Sequence, residues 1–133
     1  MKKGEVICSP KYQFPDGGVS DKYLINLNDP APGEPYLVVL VTSKEKPYRI
    51  KIPGCHSTRG YYVIPKSVDF FYADFTWVLF HTLREVTLKD ELTESFKGNF
   101  ITKALLKETT LRAIINCFKN SRYITKYHES LLK

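Results

Sequence analysis

Apolar residues in the first two-thirds of the chain come in short runs cut by proline and glycine; in the last third they recur every three or four positions. The strongest run is Tyr36-Leu37-Val38-Val39-Leu40-Val41-Thr42-Ser43. Its continuous, β-branched character predicts a strand buried on both faces or central in a sheet. Gly4 to Ser9 predicts a shorter strand ended by Pro10. Lys22 to Asn28 predicts another, stopped by Asp29-Pro30-Ala31-Pro32-Gly33, because closely spaced prolines break a ladder. Between them, Pro15-Asp16-Gly17-Gly18 is turn chemistry. Tyr48-Arg49-Ile50-Lys51-Ile52 alternates and predicts a half-exposed strand, Cys55 to Gly60 a polar loop. Tyr61 to Pro65 and Thr76 to His81 read as two more strands. Short strands at this spacing imply a small barrel or curled sheet.

The period then changes. Leu88, Leu92 and Phe96 stand four apart, which predicts a helix, with Thr87 as its N-cap and Asp90 and Glu91 in its first turn. The clearest helix is expected from about Thr102 to Ser121, where Leu111, Ile114, Ile115 and Phe118 form the stripe that a helix buries. A last short helix carries Ile124, Tyr127, Leu131 and Leu132. No repeat or linker divides the chain. The expectation is one α+β domain spanning residues 1–133, a β part to about residue 86 and C-terminal helices from about residue 87.

Composition sharpens this picture. With 133 residues, 43% of them hydrophobic, the chain can bury a core without staples. No apolar run approaches the roughly 18 residues of a membrane helix, so no membrane partner is expected. Lys2 and Lys3 are followed by no apolar h-region, which argues against a signal peptide. Cys8, Cys55 and Cys117 are odd in number and far apart, the usage of reduced thiols in a cytoplasmic protein. Residues 97–133 hold eight basic residues against Glu108 and Glu129, which accounts for the whole net charge of +6. Such a one-sided field suits a polyanion or an acidic protein, or simply a solvated helix.

No glycine-rich phosphate loop, HExxH, CxxC or Gly-x-Ser-x-Gly is present. Cys8, Cys55, His56 and Cys117 lack the paired spacing of a zinc site, so neither metal nor cofactor is expected. His81 reads as a half-buried ring at a strand end and His128 as a solvent-facing one. His56, in a polar loop beside Arg59, is the histidine best placed to meet a ligand. Lys11-Tyr12-Gln13-Phe14 and Arg59-Gly60-Tyr61-Tyr62 mix cations with rings as nucleic-acid readers do, although Tyr61 and Tyr62 also suit an ordinary strand.

Lys3-Gly4-Glu5-Val6-Ile7, the Pro15-Asp16-Gly17-Gly18 loop, Asp21 to Leu27, and Val38 to Lys44 together resemble the PemK/MazF toxin family over roughly residues 2–45. The resemblance implies a small antiparallel SH3-like β-barrel and a homodimer. It also implies metal-independent cleavage of single-stranded RNA to a 2′,3′-cyclic phosphate and a 5′-hydroxyl, and a cognate acidic antitoxin. Family catalysis is associated with an arginine starting the second strand and a threonine ending the third; the matching residues here are Lys22 and Thr42. Lys11, Tyr12, Ser43, Lys44, His56 and Arg59 are the residues expected to bind the RNA. The chain departs from the pattern at Lys22, at Tyr23 in place of proline, and at Lys44 in place of glutamine. Lysine is a point charge and cannot fork onto phosphate oxygens as arginine does. The alternative is a non-catalytic module of the same architecture that binds nucleic acid or protein.

Overall fold

Seven strands form: β1 (Glu5–Gln13), β2 (Val19–Asn26), β3 (Tyr36–Thr42), β4 (Gly54–His56), β5 (Tyr61–Pro65), β6 (Phe75–Val86) and β7 (Ile101–Leu105). Helix α1 (Leu88–Phe96) lies between β6 and β7, and α2 (Glu108–Lys119) and α3 (Lys126–Leu131) follow β7. The computed structural model describes residues 1–13, 18–66 and 70–133; the side chains of Lys11, Tyr12, Gln13, Val19 and Ser20 lie outside the described part. All strand pairs are antiparallel, in the order β4-β5-β6-β3-β2-β1-β7. The class is α+β, as the sequence predicts. The sheet is open, with β4 and β7 as its edges, so the pairing does not close a barrel.

The β-branched run of β3 takes the central place expected of it, between β2 and β6. Alternation sends Ile25, Val39, Val41, Val78 and Phe80 to one face, where they meet Leu111, Ile114, Ile115 and Phe118 of α2 and Leu131 of α3. The Phe80 and Phe118 rings are 4.8 Å apart at the centre of this layer. The opposite face carries Ile7, Leu24 and Val38 with Phe100, and farther along Val63, Trp77 and Leu79.

Several expectations are corrected, each by a long-range contact. Strand β1 runs past Pro10 because a bulge sits there: between the pairs Ser9↔Lys22 and Tyr12↔Ser20, two β1 residues face Asp21 alone. A proline needs no ladder donor at such a point. Tyr48 to Ile52 is not a strand. The Trp77 indole donates to the Ile50 carbonyl at 3.0 Å and the Ile50 amide donates to the Tyr61 hydroxyl at 3.0 Å, so side chains occupy the groups a ladder would use. Gly54 to His56, expected as loop, pairs with β5 as an edge strand. Residues 101–105 form β7 against β1, and the helix expected from Thr102 starts at Glu108.

The cysteines are not all reduced thiols. Cys55 of β4 and Cys117 of α2, 62 residues apart, are joined in a disulfide across a Cα separation of 5.5 Å, and only Cys8 is free. The crossing of α2 over the β4 edge, invisible in the spacing, brings them together. His128 does not face solvent; its Nε2 meets Glu85 of β6 at 3.2 Å. At Gly60, φ is +83° and a Cβ would overlap the Tyr123 ring, so no other residue lets the C-terminal segment close on the β4–β5 turn.

Helix α1 is capped by Thr87, whose hydroxyl accepts from the Asp90 amide at 3.1 Å, as predicted. Its orientation inverts the usual rule. The one buried residue is Glu91, whose carboxylate takes the Met1 ammonium at 3.2 Å and the Ser95 hydroxyl at 3.4 Å. The apolar stripe faces out, with Phe96 95% exposed. Among the described residues no helix is long and apolar enough to cross a membrane.

Candidate functional site

Register places Lys22 and Thr42, the residues that the resemblance singles out. In β2–β3 the last ladder pair is Tyr23↔Val41, so the next step outward sets Lys22 across from Thr42. Lys22 also pairs with Ser9, Thr42 with Trp77, and Trp77 with Val63. Directly opposed residues share a face. Lys22, Thr42 and Trp77 therefore form one row, on the face away from α2, since Leu24 and Leu40 of the same alternation pack with Phe100.

The segment after β3 folds back over this row. Trp77 is fully buried beneath it. The Arg49 guanidinium lies 5.8 Å from the Trp77 ring centre and 5.7 Å from that of Tyr48, and donates to the Lys44 carbonyl at 2.6 Å. Stacking and that hydrogen bond hold the fork in place. Lys51 is drawn aside by Glu45 at 3.1 Å. Burial, then the charges of Arg49 and Lys44, hold the Lys22 ammonium below the usual lysine range. Three cations thus share one field at the end of β3, an arrangement that favours an anionic ligand.

The Thr42 hydroxyl accepts from the Lys44 amide at 3.1 Å, shaping the turn out of β3. Thr42 also lines a recess of about 210 Å³ with Tyr23, Ser43, Phe70, Tyr72 and Thr76. Ser43 and Thr76 hydroxyls meet there at 3.3 Å.

Of the residues expected from sequence, Lys22, Thr42, Ser43 and Lys44 are brought together. His56 and Arg59 are not with them: they lie on β4 and its turn to β5, three strands from β3. The His56 Nε2 donates to the Ile52 carbonyl at 2.7 Å, pinning the loop over Trp77. The side chains of Lys11 and Tyr12 lie outside the described residues. Lys119 of α2 and Lys126 of α3 border a shallow recess on the helix layer, on the other side of the sheet. Arg49 and Trp77 are the members that sequence reasoning missed. The available signal was the density of cations from Lys44 to Lys51 just after Thr42; nothing local pointed to Trp77. No group of three or more His, Cys, Asp or Glu that would hold a metal occurs among the described residues.

No protein-family model, curated protein or solved structure matches this chain.

Proposed function

We propose that this chain is the toxin component of a toxin–antitoxin pair, a metal-independent endoribonuclease of the PemK/MazF kind that cleaves single-stranded RNA. The supporting observation is the shared field of Lys22, Lys44 and Arg49 beside Thr42. Attack of a ribose 2′-hydroxyl on the adjacent phosphorus forms the O2′–P bond and breaks P–O5′, leaving a cyclic phosphate and a 5′-hydroxyl. The reaction needs a proton acceptor for the 2′-hydroxyl, a donor for the leaving oxygen and positive charge on the phosphorane. Arg49 restores the forked guanidinium that Lys22 lacks and, with Lys44, supplies the charge. Lys22, whose ammonium is made more acidic than usual by burial and then by Arg49 and Lys44, is the group suited to exchange the proton. Thr42 orients a phosphate oxygen. On this reading the protein works in the cytoplasm as a homodimer, its open sheet standing in for the SH3-like barrel, and a small acidic antitoxin covers the cations.

The test is incubation of purified protein with end-labelled single-stranded RNA in EDTA. Cyclic-phosphate products that vanish in Lys22→Ala and Arg49→Ala support the enzyme; intact RNA after prolonged incubation rejects it.

A second reading is favoured by the Cys55–Cys117 disulfide, since such bonds persist in oxidising compartments. A chain working there would be the non-catalytic module, holding an anionic partner through the same cations. Binding with steep salt dependence and no cleavage is its signature.

A further inference from the structure

The recess at the end of β3 has its own chemistry. Phe71, only 6% exposed, anchors its floor and meets Phe70 edge-on at 5.5 Å and 76°. Phe70 in turn leans on Tyr23 at 5.5 Å. Tyr72, 75% exposed, stands on the open rim, while Ser43 and Thr76 set hydroxyls on the opposite wall. At about 210 Å³ the space is below the roughly 300–1,000 Å³ of drug-sized sites and suits one planar ring. Rings that accept a face and hydroxyls that accept or donate at an edge are what a nucleobase requires.

We infer that this recess is a base subsite, taking one nucleobase stacked against Tyr72 and Phe70 with its polar edge toward Ser43 and Thr76. The occupant follows from the RNA reading, on which it rests: Tyr23 precedes the recess from the residue after Lys22, and Thr42 belongs to both. A nucleotide whose phosphate sits with Lys22, Lys44 and Arg49 therefore sends its base around the end of β3 into the ring-lined space. Stacking tolerates every base, and the two hydroxyls supply the preference among them.

The probes are a short 2′-O-methyl RNA carrying one 2-aminopurine, which cannot be cleaved, and 2-aminopurine riboside 5′-monophosphate. Stacking quenches the fluorescence of this base. The wild type is expected to quench the oligomer, and Tyr72→Ala, altered at an exposed ring that leaves the core intact, to lose most of the quench and about tenfold in affinity. Its salt dependence stays that of the wild type, because no phosphate contact is removed. Equal quenching by Tyr72→Ala, or equal affinity for an oligomer abasic at the probe position, overturns the base subsite while leaving the RNA reading intact. Failure of the oligomer to bind at low salt sinks the RNA reading instead. The monophosphate then decides the recess alone: quenching lost in Tyr72→Ala identifies a mononucleotide site, and no quenching in the wild type overturns it.

Discussion

The two faces of the sheet are covered by opposite means. On one, α2 and α3 press a continuous apolar layer onto the strands, and a disulfide ties α2 to the β4 edge. On the other, the loop after β3 is held by hydrogen bonds that Trp77 and His56 donate to it and Tyr61 accepts from it, and α1 by the carboxylate of Glu91. A face sealed by apolar contact is committed to stability. A face held at discrete polar points leaves its cations at the surface, where a ligand can reach them, while the ring-lined recess opens at the strand ends on the helix side, beside Tyr23 and Val41. Natural sites are often drawn from such less stable regions.

The contrast can be broken first in the helix layer. Phe118→Ala should cost about 3–5 kcal/mol, because the ring is fully buried against Phe80 and its loss leaves a cavity; denaturant unfolding measures it, and a loss under about 1 kcal/mol would mean that α2 is not the true lid. Reduction of Cys55–Cys117 comes next. Opening a loop of this length is expected to lower stability by up to about 4 kcal/mol, read as a drop in Tm with a dithiol. An unchanged Tm would mean that the bond does not form in solution.

Across the sheet the effects should fall on binding. Arg49→Ala is expected to leave stability within about 1 kcal/mol yet weaken single-stranded RNA binding roughly ten- to hundredfold, a fluorescence-anisotropy measurement. Affinity should also fall as pH rises below the ordinary lysine range. Lys22 sheds its proton early in the free protein, and a bound phosphate pulls the pKa back up, so binding takes up a proton in the interval between the two values. Lys22→Met, which cannot titrate, should flatten that slope; an unchanged slope would assign the titration to another group. The smallest effect is expected at α1. Phe96→Ser should shift stability by no more than about 0.5 kcal/mol, since the ring is exposed, and a large loss would show that the stripe is covered in solution.

Local pattern was enough for much of this. The β3 run, the Thr87 cap, the α2 stripe and the change from strand to helix period all lie within windows of a few residues, where alternation and capping act directly. Lys22 and Thr42 were singled out by the resemblance and not by local pattern, and the β2–β3 register sets them at the same end of the sheet. What tertiary structure alone decided involves partners distant along the chain. β7 exists because β1 offers it an edge, Tyr48 to Ile52 is loop because Trp77 and Tyr61 take its backbone groups, and Cys55 meets Cys117 because α2 crosses β4. The same holds for α1, whose amphipathic spacing predicts a helix and is silent on which side faces the protein. Arg49 joined Lys22 for this reason too: a guanidinium in a loop has no period to reveal it, and only packing on a buried indole fixes where its charge acts.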